Sequence, residues 1–144
     1  MSAQGMVLIG RMGWAAIRKA GWRPVAIGGL TMGADPVAYA IAAASFGSDL
    51  PLDGFSVRKE SKEHGARRTI EGNLKPGDAV VVIEDVITSG ESARRAIAAV
   101  QQAGGRILGV LAVVDREEGG KGALEASGWQ VLTLTTVSDL GLKP

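Results

Sequence analysis

The stretch AVVVIEDVITSGES, residues 79–92, decides the fold. Val80, Val81, Val82 and Ile83 form an unbroken β-branched run without polar alternation, the pattern of a central strand covered on both faces. The run ends on two adjacent acids, Glu84 and Asp85. Val86 and Ile87 follow, then a turn of Thr88, Ser89 and Gly90, then a helical pattern from Glu91 and Ser92 to Val100. A strand that feeds a turn and then a helix leaves unpaired backbone N–H groups and the positive end of the helix dipole at the turn. That arrangement is a cradle for phosphate. Carboxylates beside it accept hydrogen bonds from sugar hydroxyls, or hold a divalent cation through water. A ligand carrying phosphate, ribose and Mg²⁺ satisfies all three features. Thr88 and Glu91 also fit a capping box, which fastens a helix start with or without a ligand.

Outward from this stretch, the chain has the size of one domain with one core. Its 144 residues, 46% of them apolar, are expected to form a single unit over 1–144. Sixteen basic against fifteen acidic side chains leave almost no net charge, which argues against nucleic acid as the main partner. The absence of cysteine excludes disulfides and thiolate metal sites. No apolar run approaches the ~20 residues needed to cross a bilayer, and residues 6–9 are too short for a secretory core. A soluble cytoplasmic protein is the expectation.

Upstream, residues 1–5 read as a loose leader. Leu8, Ile9, Met12, Ala15, Ala16 and Ile17 recur at helical spacing and predict an amphipathic helix ending near Gly21, with Trp14 and Trp22 over its exposed edges. A short buried strand, Val25, Ala26 and Ile27, leads into a glycine loop, Gly28 to Gly33. Asp35 is placed to cap a helix beginning at Pro36 and running to about Ser45. Glycine loops at the carboxyl ends of strands are where open α/β sheets take ligands; a plain structural turn is the alternative. Phe55, Ser56 and Val57 make the next strand. The charged run after it, with Arg58, Lys59, Lys62, His64, Arg67 and Arg68, leads into polar sequence without apolar period to Asp78. A loop of that length is functional or simply solvated.

Downstream, the helix after the turn buries Ala93, Ile97 and Val100 and ends at Gly104. Residues 107–114 read as an apolar strand ending in Asp115, Arg116, Glu117, Glu118, Gly119 and Gly120. A short helix over 121–127 and a last strand over 130–135 complete the chain, with Ser138 capping a final turn.

Residues 80–90 resemble the 5-phosphoribosyl-1-pyrophosphate (PRPP) motif of type I phosphoribosyltransferases: four apolar residues, two acids, two apolar residues, then T-[ST]-G. Three further patterns resemble orotate phosphoribosyltransferases. These are G-L-x-x-G-x-x-P at residues 29–36, R-K-x-x-K-x-H-G at 58–65, and D-R-x-E-x-G at 115–120. The resemblance implies a mainly parallel α/β sheet with helices on both faces. It implies transfer of phosphoribose from PRPP to orotate, giving orotidine 5′-monophosphate and pyrophosphate in pyrimidine synthesis.

By that resemblance, Thr31 and Met32 lie in a pyrophosphate loop that often contains a cis or strained peptide, Met32 standing where some relatives have lysine. Arg58, Lys59, Lys62 and His64 meet the pyrophosphate, Lys62 and His64 from the neighbouring subunit of a homodimer with shared sites. Glu84 and Asp85 hold the ribose, and Val86, Ile87, Thr88, Ser89, Gly90, Glu91 and Ser92 bind PRPP around its 5′-phosphate. Thr88 and Arg116 face orotate, a salt bridge from Arg116 to Glu117 or Glu118 being the alternative. Lys62, His64 and Asp85 form the catalytic set. Mg²⁺ is held mainly through PRPP and water, with no direct protein ligand. Orotate enzymes usually begin with ~40–50 further residues forming a hood over the base, the size of a small subdomain; this chain starts at the helix that follows it. Transfer to another base, and a PRPP- or nucleotide-binding regulator without turnover, are the rival readings.

Overall fold

The structure is a computed structural model and describes residues 1–60 and 69–143. Its elements are α1 (Ala3–Lys19), β1 (Ala26–Leu30), α2 (Ala34–Ser45), β2 (Asp53–Val57), β3 (Ile70–Gly72), β4 (Ala79–Ile87), α3 (Glu91–Gln102), β5 (Arg106–Asp115), α4 (Gly120–Ala126) and β6 (Val131–Thr136). The strands form one six-stranded sheet in the order β3-β2-β1-β4-β5-β6, parallel throughout except for β3, which runs antiparallel to β2 at the edge.

Alternate residues of the central strands face opposite layers, as the pleat requires. Ala26, Val80, Val82, Val110 and Ala112 pack with α3 and with Leu124 of α4. Ile27, Val81, Ile83 and Leu111 pack with Ile17 of α1 and Val37 and Ile41 of α2. Helices therefore cover both faces, and β4 is the double-sided central strand that its β-branched run predicts. The connections reverse direction between β1 and β4, one crossing towards β2 and the other towards β5. In such sheets the crevice outside the carboxyl ends of the two strands at the reversal is the ligand site.

Several expectations from sequence give way here. The supposed leader is helical: α1 begins at Ala3, and the Ser2 side chain caps it by accepting from the Gly5 amide at 3.0 Å. Its buried stripe is Gly10, Gly13 and Ile17, while Leu8 and Met12 stay about half exposed. The reason is close helix contact, since a β-carbon at Gly10 would lie 2.5 Å from the Ala40 carbonyl oxygen of α2. Trp22 covers no exposed edge; it is buried against Gly109 of β5, with its indole N–H donating to Gln130 Oε1 at 3.0 Å.

Gly28 and Gly29 are strand interior rather than loop. Their missing side chains let β1 lie between neighbours, since β-carbons there would come within 2.1 Å of the Phe55 oxygen and 2.0 Å of the Ile83 oxygen. The strand β4 does not stop at the acids but runs through them to Ile87. The edge strand β3 lies inside the stretch read as unstructured.

Candidate active site

Two turns meet at the reversal point. The first follows β1: Thr31 and Met32 are joined by a cis peptide bond, Met32 is 75% exposed, and Gly33 leads into α2. Asp35 does not cap α2, whose N-cap is Gly33 without a side-chain bond. Its carboxylate is instead a hub. Thr31 Oγ1 donates to Asp35 Oδ2 at 2.5 Å, and Ser56 Oγ, on β2, donates to Asp35 Oδ1 at 2.8 Å. Because Ser56 spends its proton on Asp35, Tyr39 Oη is the donor in its 2.5 Å bond to Ser56 Oγ. The network fastens the turn to α2 and β2, and sequence reading missed it. The available signal was a pair of hydroxyls at the carboxyl ends of two adjacent strands.

The second turn follows β4. Glu84 is 6% exposed, whereas Asp85 and Val86 open to solvent. Burial, and then the neighbouring Asp85 charge, push the Glu84 carboxyl up from its ordinary value to about 7. Asp85 Oδ1 accepts from the Val86 amide at 2.8 Å. Its carboxylate also reaches across to the first turn: a β-carbon on Gly33 would lie 2.7 Å from Asp85 Oδ2. Gly33 thus leaves room for the acid between the two turns. Beside them opens a mainly apolar cavity of about 720 Å³, lined by Ile9, Met32, Val37, Asp85, Val86 and Val114 among others.

No capping box forms. The N-cap of α3 is Gly90 in the left-handed region (φ 80°), without a side-chain bond, and the nearest substitute is a long 3.4 Å bond from the Glu91 amide to Ser89 Oγ. Thr88 is half-buried, Ser89 and Glu91 are exposed, and Gly90 is buried. The first amides of a 12-residue helix therefore face the turn with little internal satisfaction, which is how a helix start receives an anion.

The remaining candidate residues leave the ends of neighbouring strands. Arg58 leaves β2 and makes a forked pair with Glu71 of β3, its Nε at 3.0 Å and Nη2 at 2.6 Å from Oε1. Lys59 is exposed, and its carbonyl accepts from Arg95 of α3, a further cation at this edge that sequence reading missed. Arg116, past the end of β5, pairs with Glu118 at 2.9 Å on the surface, while its amide donates to the Ile87 carbonyl at 3.0 Å. Lys62 and His64 lie outside the described residues. Among those described, no three of His, Cys, Asp and Glu come together as a metal cage, and no helix is long and apolar enough to cross a membrane.

The carboxyl ends of neighbouring strands thus carry acids, unspent amides and cations, with Met32, Asp85 and Val86 lining one cavity and Arg58, Lys59 and Arg95 lining another. Comparison with known proteins places this arrangement. The family described as the phosphoribosyl transferase domain matches residues 3–135. The chain is 47% identical over 137 residues to an orotate phosphoribosyltransferase of Aquifex aeolicus, spanning 95% of this chain and 74% of that protein. With the same enzyme of Rhodopirellula baltica, identity is 45% over 145 residues, 98% of this chain and 75% of the relative. The Mycobacterium tuberculosis orotate phosphoribosyltransferase in complex with PRPP superposes with a TM-score of 0.85 at 41% identity, covering 97% of this chain and 78% of that one. On this match of fold, sequence and extent, the chain belongs to the phosphoribosyl transferase domain family, among the orotate phosphoribosyltransferases.

Proposed function

We propose that this chain transfers the phosphoribosyl group of PRPP to orotate, releasing pyrophosphate and forming orotidine 5′-monophosphate. The observation that carries the reading is the meeting of the two turns, with the Asp85 carboxylate lying against Gly33 and buried Glu84 beside it. Within it, Glu84 and Asp85 accept hydrogen bonds from the ribose hydroxyls, and the amides of residues 88–92 receive the 5′-phosphate. The Thr31–Met32 turn faces the pyrophosphate together with Arg58, Lys59, Lys62 and His64. Charge builds on the departing pyrophosphate while the ribose becomes oxocarbenium-like, and donors fixed around the leaving group lower that barrier. Freed from Glu118, the Arg116 fork matches the orotate carboxylate.

Mg²⁺ fits this donor set: two adjacent acids, with no cluster of three possible ligands among the described residues, suit an ion that keeps its water and phosphate oxygens. When bound, it offsets charge on the pyrophosphate. Lys62 and His64 act from the partner subunit of a cytoplasmic homodimer. The test is incubation with PRPP and Mg²⁺ and either orotate, adenine, guanine or hypoxanthine, following base consumption. Orotate turnover alone is expected. Purine turnover would move the chain elsewhere in the family, and PRPP binding without turnover of any base would make it a binding module.

A further inference from the structure

The pattern at residues 115–120 gives a task to its arginine and none to its last glycine. Gly120 is buried where α4 begins, and its amide donates to the Thr88 carbonyl at 3.0 Å. A β-carbon there would lie 2.3 Å from the Thr88 oxygen, 2.7 Å from the Gly90 nitrogen and 2.7 Å from the Ser89 carbonyl carbon. All three are backbone atoms of the turn after β4, so no rotamer change relieves the contact.

One side must then move, and the α4 side is held from several directions. Leu124 is fully buried in the core and also packs beneath Gly90. Asp115, 7% exposed, accepts the Glu117 amide at 2.8 Å on Oδ1. Glu117 Oε2 in turn accepts from Ser138, from the amide at 3.0 Å and from Oγ at 2.5 Å. The Arg116 amide ties the near end of the loop to Ile87. The loop 115–120 is the more firmly tied side, the abutment. Apart from it, the turn 88–90 is held by a single exposed side chain, Arg94 Nη1 donating to the Ser89 carbonyl at 3.2 Å, and is the part that shifts.

We propose that Gly120 is a positioning residue for the phosphate-binding turn, lacking a side chain so that α4 can hold residues 88–90 with their amides set for a 5′-phosphate. This rests on the reading of that turn as the phosphate site. Because the pyrophosphate turn after β1 has its own fastening through Asp35, the effect is confined to one end of PRPP.

The experiment is calorimetric titration of the full chain with ribose 5-phosphate and, separately, with pyrophosphate, both with Mg²⁺. Gly120→Ala should weaken ribose 5-phosphate at least about tenfold, the scale of one charge-assisted bond, and pyrophosphate by less than about twofold. Gly122→Ala, whose β-carbon meets nothing within 4 Å, should change neither. Asp115→Ala loosens the abutment without touching the turn, so it should show the same selective loss, smaller, and Asp115→Asn should restore binding through its amide oxygen. Unchanged ribose 5-phosphate affinity in Gly120→Ala, or equal loss of both ligands, overturns the proposal. If Gly120→Ala does not fold, unchanged affinity in Asp115→Ala overturns it. Wild-type protein that binds pyrophosphate but not ribose 5-phosphate removes the phosphate-site reading, and the proposal with it.

Discussion

At the carboxyl end of β1, the turn 31–35 is tied down by side chains: Thr31 and Ser56 donate to the Asp35 carboxylate, and Tyr39 backs Ser56. At the carboxyl end of β4, the turn 88–90 has no side-chain cap; it leans on α4 through the Gly120 amide and Leu124, and its Ser89 carbonyl accepts from Arg94 Nη1 at 3.2 Å, which leaves its amides unused. One turn spends its polar groups on its own shape. The other keeps its amides for something else. The difference teaches that one wall of the crevice is a closed scaffold and the other is left open, because a helix start left uncapped has donors to give.

The largest expected effect concerns the acid side of the second turn. Glu84 holds its proton to about pH 7 in the folded chain and releases it near 4.5 when unfolded. Between those values the folded state binds more protons, so this group's contribution to stability is full below pH 4.5 and lost as pH rises through about 7. Glu84→Gln should therefore be more stable than wild type at pH 8 by about 3 kcal/mol, with the gap closing towards pH 5. Urea unfolding at both pH values measures it, and a pH-independent gap would mean the buried acid is not held in strained ionisation.

Next comes Asp85→Asn, which should cost about 1.5–3 kcal/mol of PRPP binding, one charge-assisted bond, while leaving the unfolding midpoint nearly unchanged. Calorimetry with Mg²⁺ and PRPP reads it, and undiminished affinity would take the ribose away from this acid. Asp35→Ala should do the reverse, lowering stability by about 1–2 kcal/mol through two hydroxyls left without their acceptor. A midpoint that does not move would erase the contrast between the two turns. The smallest effect belongs to Thr88→Ala. With no capping bond to lose, stability should change by less than about 0.5 kcal/mol; a loss of about 1 kcal/mol, usual for a real N-cap, would restore the capping box.

What was legible in the sequence is what lies contiguous in it. The β-branched run, the acids and the small turn occupy one stretch, so strand, turn and helix could be read together. The helix buries Ala93, Ile97 and Val100 as its spacing predicts. The scaffold turn was illegible because its partners are distant: Ser56 is 21 residues from Asp35. Gly28 and Gly29 read as loop since glycine signals a turn, yet pressure from β2 and β4 on either side is what demands them. The α1 stripe was right at Ile9, Ala16 and Ile17 and misassigned elsewhere for a similar reason. Apolar periodicity marked Leu8 and Met12, while the true contact needed the smallest residues, Gly10 and Gly13, against α2. The alternative read for Arg116, a salt bridge to Glu117 or Glu118, is the pair that forms with Glu118, whereas the pair of Arg58 with Glu71 was not legible because Arg58 follows one strand and Glu71 lies on another.

Trp22 has a practical consequence for anyone handling this molecule. Its ring lies against the start of β5 and bonds Gln130 just before β6, and Trp129 packs beside that same edge, at the opposite end of the strands from both turns. Two of the three indoles are thus natural optical probes of whether the sheet is assembled, and neither lines the crevice. Emission from that edge can be followed during denaturation in saturating PRPP, which has no chromophore of its own, so the gain in stability on binding can be read from the protein's own light.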